Sequence, residues 1–130
     1  MIIWTLNLDV ISPNKSLHWT ARSKINKSNK GILAKQWAIE PHKPQPPCIV
    51  SIQRLYNPSK HEKRWDDDNW IAGCKGIRDC LAAFLMPGLA PGQADSPKYK
   101  ISFEYNQLTA TRKGVRIVIN DSDESDDGNL

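Results

Sequence analysis

Four consecutive polar residues, Asp66, Asp67, Asp68 and Asn69, form the densest chemical signal in the chain. Asp and Asn are preferred helix caps, and acids near a helix N-terminus are favoured by its dipole. A cap needs one such residue, however, and three adjacent carboxylates repel one another unless solvent or a divalent cation relieves them. If the run is extended, Asp66 and Asp68 point to one side with Asp67 opposed, which would let two oxygens converge on one Mg²⁺. Local features leave the cap reading and the metal reading evenly matched. Lys75 and Asp79 follow, four residues apart and so about 40° apart on one helical face. Alone they read as a surface ion pair. Below a carboxylate pair, Lys75 is also suited to hold a scissile phosphate. Asp95 stands as a further acid in a Gly/Pro-rich loop, where by itself it reads as a turn residue.

The elements that must position these residues can be traced from periodicity. Residues 2–8 alternate and predict a strand. Residues 12–30 are rich in turn formers and carry Lys15, Arg22, Lys24, Lys27 and Lys30, which predicts an exposed basic loop. A short helix is expected over 30–39, ended by Pro41, Pro44, Pro46 and Pro47. Residues 48–55 predict a second strand with a turn at Asn57-Pro58. A basic run that includes Lys63 and Arg64 leads into the acids. Residues 70–86 repeat Ile77, Cys80, Leu81, Phe84 and Leu85 at helical spacing, with Lys75 and Asp79 opposite that stripe. Two strands are expected at 99–107 and 115–119, joined by a turn near Gly114. The order β-α-β-α-β-β predicts a single α+β domain, a mixed or antiparallel sheet of about four strands with two helices.

Composition bounds the function. The chain has 130 residues, enough for one core. Mean hydropathy is −0.55, and no apolar run approaches the roughly 20 residues needed to span a membrane. The N-terminal segment lacks a basic region and a small-residue cleavage site, so a cytoplasmic protein is expected. Cys48, Cys74 and Cys80 are odd in number and lack CxxC spacing, which argues against a disulfide framework or a zinc ribbon; with the scattered histidines they predict reduced thiols and no structural metal. Five of the 14 acids fall in residues 121–130, which predicts a disordered acidic tail able to compete weakly with a polyanion for basic surfaces. The remaining chain has 18 basic and 9 acidic residues, a balance of +9 that suits a polyanionic partner.

These motifs, in this order, resemble the RusA family of Holliday-junction resolvases and its phage-borne relatives. The matching features are Asp66-Asp67-Asp68-Asn69, then Lys75, then Asp79-Cys80-Leu81, then an acid some 15 residues on, then a strand with Phe103-Glu104-Tyr105-Asn106-Gln107. The opening Leu8-Asp9-Val10-Ile11-Ser12-Pro13-Asn14 also resembles the family's first strand and its turn. The resemblance spans residues 2–119. It implies a nuclease domain over residues 1–120, with Asp66, Asp68 and Asp95 as catalytic carboxylates holding Mg²⁺, or Mn²⁺ in its place, and Lys75 as the essential lysine. It departs from the founding branch in two respects: Lys75 lies about one helical turn further from Asn69, and the loop offers one acid where family members often have two in succession. The implied activity is phosphodiester hydrolysis in branched DNA by a homodimer, with Lys15, Arg22, Lys24, Lys27, Lys30, Lys63 and Arg64 on the DNA backbone. The competing expectation is a non-catalytic nucleic-acid-binding module, in which Trp19, Trp65 and Trp70 stack on bases and the acids only cap the helix.

Overall fold

The computed structural model describes residues 1–13, 15–87 and 100–121. Among them the chain forms β1 (Ile2–Leu6), α1 (Trp19–Ile39), β2 (Cys48–Tyr56), α2 (Asp67–Gly73), α3 (Lys75–Leu85), β3 (Ile101–Thr109) and β4 (Gly114–Asp121). The fold is α+β. The four strands make one mixed sheet in the order β1-β4-β2-β3, antiparallel at its first two pairings and parallel between β2 and β3.

This topology decides where the site lies. β1 and β2 each run antiparallel to β4, and β3 runs with β2, so β1, β2 and β3 all end at the same edge of the sheet. The segment holding Asp9 leaves that edge after β1, and the segment holding Asp66 to Asp68 leaves it after β2. Alternation sets the covered face: Val50 and Ile52 of β2, Ile117 and Ile119 of β4, and Ile2 and Trp4 of β1 are buried against the helices. α3 lays Ile77, Leu81, Ala82 and Leu85 onto this face. α1 joins through Leu33 and through Trp37, whose ring stacks on Phe84 at 5.4 Å and meets Trp4 edge-on at 6.4 Å. The Trp4 indole donates to Glu40 Oε2 at 2.9 Å, tying β1 to the end of α1.

The main departure from the periodicity is α1. Most of the expected basic loop is helix, beginning at Trp19, with His18 as the N-cap accepting from the Thr20 amide at 3.2 Å. Its Ser and Asn residues are weak helix formers, and tertiary contact outweighs that preference. Buried Asn29 bonds the chain after β1, and buried Leu33 joins the core one turn further on.

The single helix expected over 70–86 is two helices with Cys74 at the joint. Gly73 explains the tight passage there: a Cβ at this position would stand 2.9 Å from Val10 Cγ1 and 3.2 Å from the Ile11 carbonyl oxygen. Strand ends differ by one or two residues from expectation. Asp121, assigned by sequence to the acidic tail, is the buried last residue of β4, with a carboxylate oxygen 3.5 Å from His42 Nε2. The rest of the expected tail lies outside the described residues. The cysteines are unpaired; Cys48 and Cys74 are buried and Cys80 is half-buried. No helix among the described residues is long and apolar enough to cross a membrane.

Candidate functional site

The acidic run begins a helix and is not an extended strand. Asp66 has extended backbone at the N-cap, while Asp67 and Asp68 already lie in the first turn of α2. The alternating geometry expected for Asp66 and Asp68 is therefore replaced by a ridge of three exposed carboxylates around a helix start. Asp66 makes no side-chain capping bond, so the capping role that would account for it is not taken up. Asp67 pairs with Arg64 at 2.7 Å, an exposed ion pair worth at most about 1 kcal/mol. That leaves Asp66 and Asp68 as the ridge carboxylates without a partner among the described residues.

What holds this ridge is a polar clamp from the sheet. Gln107 of β3, 7% exposed, accepts from the Trp65 amide at 2.9 Å through Oε1 and donates to the Trp65 carbonyl at 2.7 Å through Nε2. Its side chain thus treats Trp65 as a strand neighbour would. Arg54 of β2, paired in register with Gln107, donates to the Lys63 carbonyl at 2.7 Å and to Gln107 Oε1 at 3.2 Å. The Arg54 guanidinium also lies 4.4 Å from the centre of the Trp65 ring. Burial lowers the Arg54 pKa, with Glu62 and Tyr56 opposing the shift. Trp65 further meets Trp70 edge-on at 6.1 Å.

A similar clamp holds the chain after β1. Asn29 of α1 accepts from the Asp9 amide at 3.2 Å and donates to the Asp9 carbonyl at 2.6 Å, leaving the exposed Asp9 carboxylate free of hydrogen bonds among the described residues.

Lys75 lies elsewhere. It lines a cleft of about 390 Å³ between α1 and α3, together with Pro13, Arg22, Asn26 and Asp79. Lys75 and Asp79 share this cleft as their spacing requires, but Asp79 pairs with Arg78 at 3.4 Å and not with Lys75. None of the three ridge carboxylates lines it. An adjoining cleft of about 150 Å³ adds Asp9, Asn29 and Lys30, so Arg22 and Lys30 face the groove while exposed Lys24 and Lys27 line neither cleft. Lys15 stays in the loop before α1, where its carbonyl accepts from Arg22 at 2.6 Å; Lys63 and Arg64 are exposed beside the ridge. Of the three expected stacking tryptophans only Trp19 is open to solvent: Trp65 is half-buried and Trp70 is 1% exposed.

Asp95, the third expected carboxylate, lies outside the described residues. Among the described residues no three His, Cys, Asp or Glu side chains gather closely enough to hold a metal. Mg²⁺ keeps several waters and is commonly held by one or two carboxylates plus substrate phosphate, and Asp66 and Asp68 are the exposed ridge carboxylates that Arg64 does not pair.

Gln107, Arg54, Asn29 and Asp9 were not singled out by spacing. A signal for two of them exists: Val50-Ile52-Arg54 and Phe103-Tyr105-Gln107 are both inward alternations that end in a polar residue, and the register places those two residues side by side. Comparisons with family models, with curated proteins and with solved structures each return no match.

Proposed function

We propose that this chain is a Mg²⁺-dependent endodeoxyribonuclease that cleaves branched DNA, such as a Holliday junction, by phosphodiester hydrolysis. The observation that carries the reading is the pairing of Asp66 and Asp68, two carboxylates without partners among the described residues, with a backbone held at residues 63 and 65 by Gln107 and Arg54. A backbone tied to the sheet in this way keeps the segment that carries Asp66 and Asp68 in place when a cation and a phosphate arrive.

In this reading Asp66 and Asp68 hold the metal, with Asp95 as the third ligand. Bound Mg²⁺ supplies a water of lowered pKa and an electrophile for the phosphoryl oxygen. Lys75, beside Arg22 in the neighbouring cleft, neutralises the phosphate. Lys15, Lys24, Lys27, Lys30, Lys63 and Arg64 hold the backbone without reading bases. A four-way junction presents two symmetry-related strands, which a two-fold homodimer with one site per subunit matches.

The second reading, a non-catalytic DNA-binding module, is favoured by the separation of Lys75 from the acidic ridge. Synthetic four-way junctions, flaps and duplexes incubated with Mg²⁺, Mn²⁺ or EDTA decide between them. Metal-dependent cutting of the branched substrates is expected. Tight binding without cutting under either metal assigns the module.

A further inference from the structure

The 21 residues of α1 include no acid and five bases, Arg22, Lys24, Lys27, Lys30 and Lys35. At about 100° per residue these bases divide between two sides of the helix. Arg22 and Lys30, with Asn26, face the clefts against α3. Lys24, Lys27 and Lys35 fall within an arc of about 80° on the other side, with Lys24 about 160° from Arg22, and all three are exposed. No carboxylate pairs with them among the described residues. Between these lysines the arc holds only Thr20, Gly31 and Ala38, also exposed, so its surface is low and smooth. Glycine is the weakest helix former after proline, and a Cβ at Gly31 would meet nothing within 4 Å among the described residues. The protein's own packing therefore does not call for glycine there, whereas close approach of an outside body does.

The chemistry of the arc selects the occupant. A membrane-surface helix needs a free apolar face, and that of α1 is packed on the core through Leu33 and Trp37. Protein interfaces centre on Trp, Tyr or Arg, and exposed Trp19 falls about 80° outside the arc. Lysines on a smooth, acid-free surface suit a row of phosphates. Lys24 and Lys35 are about 16 Å apart along the axis, enough to meet several phosphates of one duplex. A helix with its side chains is only about 10–12 Å across, whereas duplex DNA is stiff over about 150 base pairs. A single duplex seated at the cleft of Arg22 and Lys75 cannot bend round α1 to reach the arc. Two arms of a branched molecule can lie on both sides at once, and the second contact then forms at high effective concentration.

We propose that the arc of Lys24, Lys27 and Lys35 holds the backbone of a second duplex arm, so that α1 stands between two arms and gives the chain its preference for branched DNA. The proposal rests on the DNA reading above and adds to it the surface that recognises the branch. Its test uses the whole chain and needs no cleavage. A four-way junction and a linear duplex of one arm's sequence are titrated in EDTA by fluorescence anisotropy over a salt series. The combined variant Lys24→Ala, Lys27→Ala, Lys35→Ala, with its melting curve checked, should lose about tenfold on the junction and no more than about twofold on the duplex. Its salt slope should fall by about two to three on the junction alone. Gly31→Gln should melt higher, since glutamine is the better helix former, yet bind the junction several-fold more weakly. Equal losses on junction and duplex overturn the two-arm assignment, because the arc then touches the same duplex as the cleft. Unchanged junction binding by either folded variant also overturns it and leaves the DNA reading standing. A parent protein that binds neither DNA rejects the DNA reading itself, and this inference falls with it.

Discussion

The two regions that could handle a phosphodiester are built on opposite plans. The ridge of Asp66, Asp67 and Asp68 concentrates one sign of charge on a short segment and is held from behind by Gln107 and Arg54. The cleft of Lys75 mixes signs, Lys75 and Arg22 against Asp79, and is formed by side chains of two packed helices. Uncompensated carboxylates on a fixed backbone suit a cation, whereas cations partly balanced by an acid suit transient contact with phosphate. The comparison teaches that the ridge is tied to the sheet through its neighbouring backbone while the cleft balances its charges through side chains, which under the proposed function would give the metal a fixed frame and the phosphate a transient contact.

The sharpest way to break this contrast is to remove one ridge carboxylate. Asp68→Asn should lower Mg²⁺-dependent cleavage by about two orders of magnitude or more while junction affinity in EDTA stays equal or tightens, since a metal ligand and a repulsive charge go together. Single-turnover cleavage and anisotropy measure the two halves. Equal cleavage by variant and parent would remove Asp68 from the chemistry.

In the cleft, Lys75→Ala should cost about 100-fold in cleavage rate and only a few-fold in affinity, because it is one of 18 basic residues. A tenfold loss of affinity with normal turnover would reassign Lys75 to backbone binding alone.

The two amide clamps allow a finer test. Gln107→Leu and Asn29→Leu each strand a backbone N–H and C=O, so each should cost about 1–3 kcal/mol in urea unfolding. Only Gln107→Leu should also raise the Mg²⁺ concentration needed for half-maximal cleavage, since only that clamp holds the segment leading to Asp66. Identical metal dependence in both variants would mean that the ridge is positioned by something other than Gln107.

The smallest expected effect concerns alkaline stability. Burial, with a lesser contribution from Asp121, pushes the Cys48 thiol up to about 11, from its ordinary value near 9. A raised folded pKa favours the protonated thiol, so its contribution is complete below pH 9 and is lost as pH rises through about 11. Between pH 8.5 and 10.5 the parent should therefore lose more stability than Cys48→Val. Parallel pH curves for the two proteins would show that this thiol does not contribute.

Part of this molecule could be read directly from residue order. The four strands in their order and the apolar stripe of the helix before β3 are legible because period-two alternation in the strands and the Ile77-Leu81-Leu85 spacing reflect local geometry and burial together. The acidic run is legible because three adjacent carboxylates are costly wherever they occur. The beginning of α1 was not legible, because its Ser, Asn and Lys residues favour turns locally and become helical through the packing of Asn29 and Leu33. The joint at Cys74 was hidden for a similar reason: Gly73 is an ordinary helix interruption in sequence, and only the passage of Val10 and Ile11 shows what the missing side chain admits.

Sequence by itself thus determined the four strands, the α+β class and where the acids are concentrated, since periodicity and side-chain type are local properties. Tertiary structure alone decided that Asp66 begins a helix, that Lys75 lines a different cleft, and that Gln107 and Arg54 lock the segment between β2 and α2. Those outcomes depend on contacts between residues more than 40 positions apart in the case of Gln107 and Trp65, and no spacing rule reaches that far. The parallel pairing of β2 with β3 is what brings Arg54 and Gln107 into the same row beneath that segment.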